Sequence, residues 1–170
     1  MIYNIVKYGD PVLETKAAPV TDFDTPELHT LVEDMFESMY AAKGLGLAAP
    51  QIAISWQLAV IDSSGGEDPS ARLVIINPEI IEKSGRQVGE EGCLSVPGFR
   101  EDVTRAMKVK VRYQDITGAS QEFEGDELLA RAIQHEMDHL NGILFLSHLS
   151  MLKRDLIRRK IRKLAKLGDW

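Results

Sequence analysis

Apolar residues recur along this chain in two periods, and the switches between them mark out the elements. Leu28, Leu31, Val32, Met35 and Met39 repeat at helical spacing. Thr25 can cap that segment and Pro26 suits its first turn, so the spacing predicts a helix from there to about Gly44, where glycine ends it. Residues 57–62 and 72–77 read as strands, joined by a loop that opens with Ser63-Ser64-Gly65-Gly66. Further strands are expected at 79–83, 100–105, 107–115 and 120–124. Lys108 to Tyr113 alternates apolar and charged residues, which predicts one wet face, and Thr117-Gly118 reads as a hairpin turn. Helical spacing returns from about Asp126 through Leu128, Leu129, Ala132 and Ile133, and ends at Asn141-Gly142. A last helix is expected from about Ser150 to Leu167, with Leu156, Ile157, Ile161 and Leu164 facing inward. Residues 1–20 look irregular, broken at Gly9-Asp10-Pro11 and at Pro19. Strands grouped between helices predict an α+β fold. It would have mainly antiparallel sheets around a central helix, with an N-terminal and a C-terminal helix. A length of 170 residues fits one domain, 1–170, with a sizeable core.

Composition narrows the class. With 44% hydrophobic and 27% charged residues the chain reads as an ordinary globular protein. Its longest apolar runs, such as Leu73 to Ile76, are far too short to cross a bilayer, so no membrane association is expected. The first seven residues lack the basic-then-apolar order of a secretory signal, and they do not form an Arg-rich transit peptide. The single cysteine allows no internal disulfide, in keeping with a cytoplasmic setting. The net charge of −6 is unevenly spread: residues 153–170 hold eight basic and two acidic side chains. Twelve of the 20 basic and twenty-four of the 26 acidic side chains therefore lie before residue 153. The acidic body argues against DNA or general nucleic-acid binding, whereas the basic tail suits an anionic surface.

The predicted helix at 126–141 carries Gln134-His135-Glu136-Met137-Asp138-His139, an HExxH pattern. On a helix His135 and His139 project from one face, where two imidazoles can hold one divalent metal, with Glu136 close enough to handle protons on its water. Taken alone, the pattern also fits an amphipathic helix with two surface histidines. Cys93 would supply a third ligand and leave one position open for water. A lone cysteine is more often a small buried apolar residue, but Gly92 allows close backbone approach and the stretch does not read as a core strand. In Gly44-Leu45-Gly46-Leu47-Ala48-Ala49-Pro50-Gln51 the small residues leave room for a ligand beside the main chain. Gln51 offers an amide to a developing oxyanion. A helix end running into a tight turn is the alternative. Glu91 reads either as a surface carboxylate or as a partner for a ligand histidine or for an arginine such as Arg100. His29, His148 and Asp138 read as surface or structural residues.

Three segments, Gly44 to Gln51, Glu91-Gly92-Cys93-Leu94-Ser95 and Gln134 to Gly142, resemble in order and spacing the signature motifs of the peptide deformylases. Tyr8-Gly9-Asp10-Pro11-Val12-Leu13 and the basic C-terminal helix look like the bacterial form, so the resemblance covers nearly the whole chain. It implies a metal-dependent hydrolase that removes the N-formyl group from the formyl-methionine of newly made polypeptides, releasing formate, with metal-bound water as nucleophile. It implies Cys93, His135 and His139 as metal ligands, Glu136 as general acid/base, and Gln51 and the Leu94 backbone N–H as oxyanion donors. The backbone around Leu45, Gly46 and Gly92 would align the peptide as an added strand. One ferrous ion per chain is expected, with zinc or nickel also accommodated. Leu45, Leu128, Ala132 and the stem of Arg131 would wall a pocket for the methionine side chain. The expected partners are the nascent formyl-methionyl chain and, through the basic helix, the ribosome. The competing readings are an HExxH peptidase, a module with a structural metal, and a relative acting on another formylated amine.

Overall fold

The computed structural model describes residues 1–170. Its order is α1 (Pro26–Ala41), β1 (Gly46–Ala48), β2 (Leu58–Asp62), β3 (Arg72–Ser84), β4 (Gln87–Cys93), β5 (Val96–Arg105), β6 (Lys108–Gln114), β7 (Ser120–Asp126), α2 (Glu127–Leu140) and α3 (Met151–Lys166). Five strands form one sheet in the order β1-β2-β3-β6-β7, and β4-β5 form a second, two-stranded sheet. Every neighbouring pair of strands is antiparallel. The fold is therefore α+β, as the pattern predicts.

Two helices sandwich the larger sheet. Leu58 and Val60 of β2 pack with Leu28, Leu31, Met35 and Met39 of α1. The alternate residues Ala59 and Ile61 pack with Ala130, Ile133 and Leu140 of α2. Both faces of β2 are covered, so all five of its residues are buried. Full burial of a Leu or Ile side chain contributes about 1.5–3 kcal/mol, which makes this strand the anchor of the molecule. A third cluster, around Val96, Val103, Phe145, Ile157 and Ile161, fastens the small sheet to α3.

Four local expectations are corrected. Residues 72–77 and 79–83 are one strand, because Asn77 takes a positive φ of 50° and the ladder shifts register between Ile76 and Glu79. That bulge absorbs the missing N–H of Pro78. Residues 87–93, which the pattern leaves unassigned, form β4, so Cys93 ends a strand after all. Gly44 is not the left-handed residue that ends α1. Lys43 takes that conformation (φ 58°), and Gly44 is needed because a Cβ there would lie 2.8 Å from Leu94 Cδ1. Leu156 of α3 faces solvent; only Ile157 and Ile161 of that helix are buried.

Candidate active site

Helix α2 puts Arg131, His135 and His139 four residues apart, so all three project from one face. Cys93 arrives from the end of β4, where Leu94 and Ser95 turn the chain into β5. The ligand atoms of Cys93, His135 and His139 lie within 4.8 Å of one another. His139 Nε2 is 3.2 Å from His135 Nε2 and 3.3 Å from Cys93 Sγ. A tetrahedral metal with ordinary bond lengths holds two ligand nitrogens about 3.3–3.4 Å apart, so the trio matches the cage of one cation.

The surroundings also fit a cation. His135 Nδ1 donates to Glu91 Oε1 at 2.9 Å, which turns the lone pair of Nε2 towards His139 and Cys93. Burial disfavours an imidazolium at His135, but hydrogen bonds to Cys93 and Glu91 and the nearby Glu136 carboxylate hold its pKa well above the ordinary value. The Cys93 sulfur and the Glu91 and Glu136 carboxylates would equally face a cation held at this histidine. Burial, reinforced by the charges of His135 and Arg105, keeps His139 well below the ordinary value and therefore neutral, the form that can bind a metal.

Glu136 is 3% exposed, and its Oε1 has no hydrogen-bond partner. Burial pushes its carboxyl up to about 7, against the lowering influence of His135. That value suits a group that must both take and return protons at neutral pH. Its other oxygen lies so close to β1 that a Cβ on residue 46 would sit 2.6 Å from it, so only glycine fits there.

Gln51 is almost wholly buried. Its Oε1 accepts from the Ala48 N–H at 3.0 Å, which aims its amide nitrogen at Ser95 Oγ (3.1 Å) and Cys93 Sγ (3.5 Å). Ser95 is fully buried, and its own N–H points to Cys93 Sγ at 3.4 Å. Leu94 N–H finds no backbone acceptor. Behind His135, Glu91 is gripped by Arg105 through Nε (2.8 Å) and Nη2 (2.9 Å), and by Arg131 Nη1 at 2.6 Å. Burial raises the Glu91 pKa, but bonds from Arg105 and His135 override it and hold the carboxyl well below the ordinary range.

Arg100 does not reach Glu91. It lies on the opposite face of the β4-β5 ladder and pairs with Glu90 at 2.5 Å. The same alternation puts Arg105 inward, and only the pairing with β4 shows that Glu91 lies on that face. Asp138 accepts from Arg105 at 2.6 Å and contacts His148 Nε2 at 2.8 Å, so His148, exposed as expected, caps this network at the surface. His29 stays at the surface, paired with Asp24.

These groups open onto a cleft of about 580 Å³. β1, an edge strand of the large sheet, lines it through Gly46, with Leu45 just before; Gly92 of β4 lines it too, and Leu128, Arg131 and Ala132 border it from α2. Two extended backbones therefore flank a cleft that ends at the Cys-His-His trio.

A family model described as polypeptide deformylase matches residues 2–155. The chain is 59% identical over 170 residues to the peptide deformylase of Acidobacterium capsulatum, covering 100% of this chain and 99% of that protein. It is 51% identical over 164 residues to peptide deformylase 2 of Xanthomonas campestris, covering 95% of each. The crystal structure of a peptide deformylase from Legionella pneumophila superposes with a TM-score of 0.91 at 48% identity, over 99% of this chain and 98% of that one.

Proposed function

The chain belongs to the polypeptide deformylase family and removes the N-formyl group of nascent peptides; we propose how its own residues carry that hydrolysis. The family is metal-dependent, and residues 1–170 would act as one catalytic domain. Cys93, His135 and His139 are the ligands. The metal they hold supplies Lewis acidity and lowers the pKa of water towards neutrality. The thiolate of Cys93 offsets part of the cation's charge and softens it, which favours ferrous iron while admitting zinc or nickel.

Glu136 Oε1, buried and unpartnered, takes the proton from the attacking water. Negative charge then develops on the formyl oxygen. Gln51 Nε2 meets it by giving up its long contact to Cys93 Sγ, while Oε1 stays fixed on Ala48. Leu94 N–H supplies the second donor. Glu136 next passes the proton to the leaving nitrogen, and formate and a free amino terminus result. Leu45, Gly46 and Gly92 align the peptide between the two strand edges, and Leu45, Leu128, Ala132 and the Arg131 stem receive the methionine side chain.

The observation that carries this reading is the buried, unpartnered Glu136 oxygen beside three converging ligand atoms. Formate release from formyl-Met-Ala-Ser by anaerobically purified protein tests it, with Glu136→Ala in parallel and metal measured on both. Loss of release with metal retained supports the assignment; a fully active Glu136→Ala protein refutes it. The cytoplasm is the proposed setting. The exposed basic side chains of α3 are proposed to dock on ribosomal RNA phosphates.

A further inference from the structure

Glu91 shows an arrangement that the hydrolysis itself does not require. It is one carboxylate, 5% exposed in its side chain, facing two guanidinium groups and a histidine. Arg105 does not serve Glu91 alone, because its Nη1 is also bound to Asp138 at 2.6 Å. A single cation is thus divided between two carboxylates. Arg131 supplies the second charge, through Nη1 to Glu91 Oε2 at 2.6 Å and to the Val103 carbonyl at 2.9 Å. Buried charges are stable only when paired. With Arg131 the group Glu91, Asp138, Arg105 and Arg131 is balanced; without it the carboxylates outnumber the cations.

Arg131 also stands in the substrate cleft, beside Leu128 and Ala132. Strand β4 is shaped around it: a Cβ on residue 89 would lie 3.2 Å from Arg131 Nη2, so glycine there lets the backbone lie over the guanidinium. Apart from His135 itself, Arg131 is therefore the side chain that touches both the substrate cleft and the carboxylate orienting His135.

We propose that Arg131 is a positioning residue: through Glu91 it fixes His135 in the orientation that binds the metal, and it joins the methionine pocket to the metal site. This rests on the assignment of Cys93, His135 and His139 as ligands. Hydrogen-bond partners behind a ligand histidine typically change metal affinity about 10–100-fold when removed. Glu91 keeps Arg105 when Arg131 is lost, so it stays in place but is held from one side only.

The test is zinc release from zinc-loaded protein into a chromogenic chelator, with thermal melting of each variant. Arg131→Leu should release zinc several-fold faster than wild type, short of the about 10–100-fold expected for loss of Glu91 itself. Arg131→Lys, which retains a cation near Glu91, should recover most of the difference. Because the effect runs through Glu91, the double variant Glu91→Gln/Arg131→Leu should release zinc no faster than Glu91→Gln alone. A residue that merely ties α2 to β5 would give additive effects. Should Arg131→Leu fail to fold, Arg131→Gln makes the same comparison, since its amide can reach Val103 without the charge. Wild-type release rates in the folded Leu or Gln variant, or additivity in the double variant, overturn the proposal. A wild-type protein that binds no stoichiometric zinc overturns the ligand assignment and the proposal together, which separates that failure from the others.

Discussion

Two residues of the cleft show how closely side-chain identity is tied to chemistry here. Gly46 is dictated by the carboxylate it faces, not by a turn, because any Cβ at that position meets Glu136 Oε2 at 2.6 Å. Gly46→Ala should displace Glu136 by a few tenths of an ångström or more and lower kcat about 10–100-fold. Metal content should hold; a fully active Gly46→Ala enzyme would show that the carboxylate has room to move. Farther back, Asp62 is buried and accepts from Tyr40 and from Ser64. Burial raises the Asp62 pKa, but these bonds prevail and hold it below its ordinary value of 3.8. Burial and Asp62 together push Tyr40 from 10.0 up to about 12. A lowered carboxyl gives stability above its unfolded pKa that is lost as pH falls through the folded one. A raised phenol gives stability below its unfolded pKa that is lost as pH rises. Tyr40→Phe should therefore cost about 1–3 kcal/mol across the neutral range. Denaturant melts should show the difference shrinking below about pH 4 and above about pH 10.

At the level of elements, helix α2 does most of the work, and most of it was legible. Leu129, Ile133 and the HExxH repeat at a single period, so the helix, its inward face and the pairing of His135 with His139 all follow from spacing. Strand β4 was not legible. Gln87 to Cys93 contains two glycines, two glutamates and no run of β-branched residues. It is a strand because β5 pairs with it and because its glycines admit Arg131 and Arg100, which are tertiary reasons. Missing β4 also hid which face of the small sheet Glu91 occupies, and so that Arg105 rather than Arg100 is its partner. Position 132 tests the cleft wall of α2. Ala132→Phe fills the space between Leu128 and the trio, so KM for formyl-methionyl peptides should rise at least several-fold, while a formyl-glycyl peptide is affected less. Equal effects on both peptides would remove residue 132 from the side-chain pocket.

The charge split between body and tail is a property of the whole molecule, and the structure changes how it has to be tested. The sequence invites deletion of residues 153–170. Yet Ile157 and Ile161 are buried with Val96 and Val103, in the sheet whose β4 ends at Cys93 and whose turn carries Leu94. Arg158 Nε donates to the Tyr8 hydroxyl at 3.0 Å, and Trp170 Nε1 donates to the Tyr8 carbonyl at 2.9 Å. Tyr8 N–H in turn donates to the Ser95 carbonyl at 2.8 Å, one residue from Leu94, the proposed oxyanion donor. Removing α3 opens this cluster, so the deletion should lower the melting temperature and impair deformylation together, whatever the tail binds. Arg159, Lys160, Arg162 and Lys163 are exposed and make no side-chain bonds within the fold. Arg159→Glu/Lys163→Glu should leave melting and formate release near wild type. It should weaken salt-sensitive sedimentation with ribosomes, because two phosphate contacts become two repulsions and the slope of affinity against salt becomes shallower. Unaltered sedimentation in that variant would leave the basic face as a solvated surface, and α3 as a brace for the active-site turn.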